Sequence, residues 1–116
     1  MADRAVLSDE QWEKLRAQFP EPDHELVRIQ VQPGELVIRN PSEAEYHAHQ
    51  AAIWGVEGEA GRPAAYRNAL VLQAVHPDKP TLLAWLKRWP GLALNPKVVR
   101  AINYLSGQIE TLEGKA

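Results

Sequence analysis

Glu25-Leu26-Val27-Arg28-Ile29-Gln30-Val31-Gln32-Pro33-Gly34-Glu35-Leu36-Val37-Ile38-Arg39 decides the fold class, because the chain on either side of it is punctuated as helix. Alternation from Leu26 to Val31 puts Val27, Ile29 and Val31 on one face, the period of a strand. Gln32-Pro33-Gly34-Glu35 reads as a turn with Pro33 and Gly34 at its centre, the order a type II turn prefers. Leu36 to Arg39 then returns as a second strand, which makes the stretch a β-hairpin. A lone hairpin is only marginally stable in water, so this one must pack on helices or find another strand. An edge left open there could pair with a partner chain.

Toward the N-terminus, Ser8-Asp9-Glu10-Gln11 is a capping box, with Ser8 as cap and Gln11 returning a hydrogen bond. Trp12, Leu15 and Phe19 follow at helical spacing until Pro20 and Pro22 stop them, predicting a helix over 9–18. Toward the C-terminus, Asn40-Pro41-Ser42-Glu43 opens a second helix with Tyr46, His49, Ile53 and Trp54 along one stripe. Gly55 to Gly61 reads as a flexible loop. Arg62-Pro63 starts a third helix, with Tyr66, Ala69, Leu70, Gln73 and Ala74 in its stripe, and Pro77 ends it. Lys79-Pro80-Thr81 starts a fourth, which stops at Pro90-Gly91. Asn95-Pro96 caps a fifth, with Val98, Val99, Ile102, Leu105 and Ile109 inside. The expected architecture is α+β and mostly helical: about five short helices packed around one β-hairpin. It forms a single domain over 1–116, with an N-terminal helix and Pro-rich linker (1–24), a hairpin (25–40) and a helical core (41–113).

Composition narrows the function. At 116 residues, 45% apolar and 24% charged, the chain supports one modest core. A net charge of −2 argues against a nucleic-acid binder, which would carry a basic face. The absence of cysteine rules out disulfides and thiolate metal sites. No apolar run approaches the roughly 20 residues that span a bilayer, and the N-terminus lacks a secretory signal pattern. A cytoplasmic protein with no membrane partner is expected.

Chemistry-bearing patterns are sparse. His47 and His49 are two apart, so on a helix they point to different faces and do not chelate one ion. His24 and His76 have no acidic cluster at ligand spacing, and no metal or cofactor is expected. Ser8, Ser42 and Ser106 look like caps and a helix end, without the surroundings of a nucleophile. No catalytic residue is proposed, and the expected class is a binding protein rather than an enzyme.

Two features speak to partners. Trp85 and Trp89 stand four apart on one helix with Leu82 and Leu86 beside them. That is the pattern of a core stripe, or of an anchoring surface, since tryptophan concentrates binding energy at interfaces. His76-Pro77-Asp78 is the tripeptide that J-domain co-chaperones carry between two helices. Here, however, the upstream tyrosine is misplaced, the basic residues of that helix are only Arg62 and Arg67, and the preceding aromatic helix is replaced by a hairpin. A helix stop followed by an Asp78 cap explains it as well.

Residues 38 to 107 resemble the small tail assembly chaperones of long-tailed bacteriophages. The resemblance is carried by Ile38-Arg39-Asn40-Pro41-Ser42-Glu43-Ala44-Glu45-Tyr46, by Ala69 through Val75-His76-Pro77-Asp78, by Leu83 through Trp89-Pro90-Gly91-Leu92-Ala93, and by Ile102-Asn103-Tyr104-Leu105-Ser106-Gly107. It implies a non-enzymatic protein of an infected or lysogenic host. Such a protein binds the tape measure protein, helps tail tube protein assemble, and is not retained in the virion. A homo-oligomer is left open. The first 25 residues lie outside the resemblance. The candidate partner-binding residues are Trp85, Trp89, Leu82, Ile102 and Leu105, with one tryptophan expected to stay partly exposed. The alternatives are a small phage structural or host-interacting binding protein and, behind it, a J-domain-like co-chaperone.

Overall fold

The computed structural model describes residues 7–54 and 62–110. The expected loop over Gly55 to Gly61 and the chain beyond Glu110 lie outside the described residues. The fold is α+β and mostly helical. In chain order it runs α1 (Asp9–Gln18), β1 (Leu26–Val31), β2 (Gly34–Arg39), α2 (Glu43–Ile53), α3 (Arg62–Gln73), β3 (Ala74–His76), α4 (Lys79–Arg88), a 3-10 turn (Pro90–Leu94) and α5 (Pro96–Leu105). Among the described residues, no helix is long and apolar enough to cross a membrane.

Local chemistry sets most of the helix boundaries. Ser8 Oγ accepts from the Gln11 N–H at 3.1 Å while Gln11 Oε1 accepts from the Ser8 N–H at 2.9 Å, so α1 begins with a complete capping box. Ser42 and Glu45 repeat the arrangement at α2 with the same distances. Asp78 Oδ1 accepts from the Thr81 N–H at 3.2 Å to start α4, and Asn95 Oδ1 accepts from the Lys97 N–H at 2.9 Å to start α5. The end of α5 is a Schellman motif: Gly107, at φ 88°, donates to the Tyr104 carbonyl, and Gln108 donates to that of Asn103.

The sheet has the order β1-β2-β3 and is antiparallel throughout. Pairing of Val27 with Ile38 and Ile29 with Leu36 gathers these side chains on one face. That face meets Tyr66, Ala69 and Leu70 of α3, Leu82 and Leu86 of α4, Leu92 and Ala93 of the 3-10 turn, and Val98, Ile102 and Leu105 of α5 in one apolar core. The opposite face carries Arg28, Glu35 and the fully buried Val37. There the Glu35 carboxylate accepts from Arg28 Nε at 2.9 Å, from Arg28 Nη2 at 3.1 Å and from the Leu7 N–H at 2.7 Å. The Trp12 ring lies 5.2 Å from the same guanidinium. Leu7 and Trp12 of the N-terminal segment thus lie against the second face of the sheet.

Several expectations need correcting. The hairpin gains a third strand, because the third helix ends at Gln73, before Pro77, and Ala74–His76 pairs with β2 through Val37 and Ile38. The residue before a proline avoids helical geometry, and β2 would otherwise keep a row of unpaired backbone groups. The hairpin turn is displaced by one residue: Val31 pairs with Gly34, so Gln32 and Pro33 form the tip. Trp54 is no part of the α2 stripe, being 78% exposed with its ring N–H on Gln50 Oε1 at 3.1 Å. Ile109 lies beyond the end of α5, half-buried.

Candidate functional site

The sequence-predicted partner residues sit mostly inside the molecule. Leu82 and Ile102 are each 1% exposed, and Leu105 is also buried. They face the sheet as core and offer no surface while the protein is folded. Trp85 and Trp89 are both half-buried against that core, so the expected partial exposure applies to the pair rather than to one of them. The Arg88 guanidinium lies 4.8 Å from the Trp89 ring and shields one face of it. The expected open hairpin edge is also narrower than the sequence suggests. Asn40 donates to the Glu25 carbonyl, which fixes the register so that Leu26, Arg28 and Gln30 turn their backbone groups outward from β1. Lys97 Nζ donates to the Gln30 carbonyl at 3.1 Å and occupies one end of that edge.

A different surface is open. Between α2 and α3 runs a groove of about 450 Å³. Ala48 and Ala52, one turn apart on α2, leave it room, and Leu72 of α3 and Leu83 of α4 form an apolar lip. These two leucines are 51% and 40% exposed, the largest such values after Trp54 among the big apolar side chains of the described residues. Exposed leucines beside a concave alanine wall are an unsatisfied apolar surface. Sequence reasoning missed them because Leu83 sits beside Leu82 in a run that reads as core. Leu72 likewise adjoins the core position Gln73. The distinguishing signal was the Ala48/Ala52 spacing, which removes bulk from the facing helix.

The groove has a polar end and a histidine in its wall. Arg39 binds Glu45 through two hydrogen bonds at 2.9 and 3.0 Å, and a third reaches the Leu72 carbonyl at 3.1 Å. Hydrogen bonding from Arg39 pulls the Glu45 carboxyl down to about 2, with burial opposing it. His49 stands edge-on to the Tyr66 ring, 4.8 Å between centroids at 81°. Both of its ring nitrogens are sealed from solvent and lack a hydrogen-bond partner. Burial lowers its pKa from 6.5; the Ala65 carbonyl opposes this without reaching hydrogen-bond geometry.

Among the described residues, no group of three or more His, Asp or Glu is arranged to hold a metal ion. The His76-Pro77-Asp78 tripeptide lies between a strand and a helix, where Asp78 serves as the α4 cap. No protein-family model, curated protein or solved structure matches this chain.

Proposed function

We propose that the chain is a tail assembly chaperone of a long-tailed bacteriophage, holding an apolar helical segment of the tape measure protein in the groove between α2 and α3. The observation that carries the reading is the lip of Leu72 and Leu83 over the Ala48/Ala52 wall. An amphipathic helix offers anchors at i, i+3, i+4 and i+7, which suits an apolar groove of this kind. The motif order from Ile38 to Gly107 supports the same reading, and in this fold those motifs are the starts and stops of α2, α4 and α5. The role asks for no chemistry, only reversible cover for an aggregation-prone partner. In this reading the protein works in the cytoplasm of the host, beside tail tube protein, and leaves before the particle is complete.

Co-expression with the tape measure protein of the same phage tests it. The tape measure is expected in the soluble fraction, copurifying with this chain and insoluble without it. Replacing Leu72 and Leu83 by aspartate should weaken the association on the order of tenfold or more while leaving the fold intact, because both side chains are exposed. Retention of the chain in purified virions would instead favour a structural role. An insoluble tape measure beside a monodisperse chain would end the proposal.

A further inference from the structure

α2 is fastened differently from the helices of the core. None of its residues is fully buried, whereas α3, α4 and α5 each bury at least two. It is held by the Glu45–Arg39 pair in its first turn, by the Gln108–Tyr46 hydrogen bond at 3.1 Å, by Ile53 against the core, and at its middle by His49. A neutral imidazole has one donor and one acceptor, and here neither is used. An imidazolium in the same place would be a buried double donor with only the Ala65 carbonyl, itself outside hydrogen-bond geometry, to accept from it. Against it stands Tyr66 of α3, and the same groove is lined by Arg67 of α3 and by Glu45 of α2, which pairs with Arg39 of β2. Glu45 is already occupied by Arg39.

We infer that His49 is a pH-sensitive latch: neutral, it closes α2 onto α3 and forms the groove wall; protonated, it releases α2 while the sheet, α3, α4 and α5 stay folded. The direction follows from burial. The docked form binds the proton less readily than the released form, so docking is complete above pH 6.5 and weakens as the pH falls below it. One proton sets a limit of tenfold per pH unit. The His47–Glu43 contact, at 3.6 Å, lies within α2 itself and does not bridge to α3. The latch does not depend on what occupies the groove.

Hydrogen exchange of the full chain between pH 7.5 and 5, corrected for intrinsic rates, reads this directly. Amides of α2 should lose protection progressively below pH 6.5, by at most tenfold per pH unit, while β2 and α5 keep theirs. His49→Leu and His49→Phe should hold α2 protection flat across the range. Constant α2 protection in the unaltered protein, a loss shared equally by β2 and α5, or the same loss in His49→Leu would each overturn the latch. If the variants do not fold, NMR titration of the His49 ring decides: a midpoint below 6.5 supports the latch and one at or above it refutes it.

Discussion

Truncating Glu35 to alanine measures how firmly the N-terminal segment is bound to the sheet. The Glu35 side chain is 7% exposed and accepts three hydrogen bonds, two from Arg28 and one from the Leu7 N–H. Alanine leaves the buried Leu7 N–H without an acceptor, at about 1–3 kcal/mol. It also strips Arg28 of its carboxylate. That guanidinium side chain is 30% exposed and keeps contact with water, so its loss is worth about 1 kcal/mol rather than the 3–5 kcal/mol of a wholly buried broken pair. The expected destabilisation is about 3 kcal/mol, or a fall in Tm of roughly 12 °C for a chain of 116 residues. Urea unfolding followed by tryptophan fluorescence measures it. Glu35→Gln should lie between, since its amide oxygen still serves Leu7. Replacing both partners, Arg28→Met with Glu35→Leu, removes the stranded guanidinium but still leaves the Leu7 N–H without an acceptor, so it should recover only about 1 kcal/mol of the loss. A Glu35→Ala protein within about 0.5 kcal/mol of the original would refute the reasoning and leave the attachment of α1 to other contacts.

Acid should weaken the fold in a defined window. Glu45, held to about 2 by Arg39, and Glu35, held low by Arg28, contribute stability that is complete above pH 4.5 and is lost as the pH falls toward 2. Thermal melts at pH 5, 4 and 3 should show that decline, and Glu45→Gln should flatten part of it. Ser42→Ala removes both the Ser42 hydroxyl and its share of the capping box, for a loss of about 1 kcal/mol, whereas Ser42→Asp should stay within a few tenths. Leu82→Ala, at a fully enclosed position, should cost about 2–5 kcal/mol by chemical denaturation. Trp54→Ala, with most of its surface in water, should change stability by less than about 0.5 kcal/mol.

What could be read from the sequence was whatever is decided within one turn of chain. The Ser8–Gln11 and Ser42–Glu45 boxes, the Asp78 and Asn95 caps and the proline stops are local chemistry, and each sets a boundary at or near its expected place. The hairpin followed from its alternation, although Pro33-Gly34 pointed one residue past the real tip. β3 was not legible. Its three residues continue the apolar spacing of α3, and only the unpaired side of β2, distant in sequence, makes a strand of them. The burial of the candidate residues Leu82, Ile102 and Leu105 was not legible for a similar reason. Periodicity marks the stripe Leu82–Leu86 as apolar but cannot say whether a core or a partner faces it, and here a sheet does. The open lip of Leu72 and Leu83 is set by which neighbouring side chains are small, a property of two helices at once.

β2 is hydrogen-bonded on both sides and buried over Gly34 to Ile38. Its first partner is the strand just before it, but its second is residues 74–76. During synthesis at roughly 5–20 residues per second, that second partner follows about two to seven seconds later. Until then Leu36-Val37-Ile38 sits on a ribosome-bound hairpin with one side unpaired, a short β-prone segment open to any neighbouring nascent chain. Translation speed between codons 39 and 76 therefore enters the yield of native protein, and slowing it there should raise the aggregated fraction without altering the stability of the molecules that finish folding.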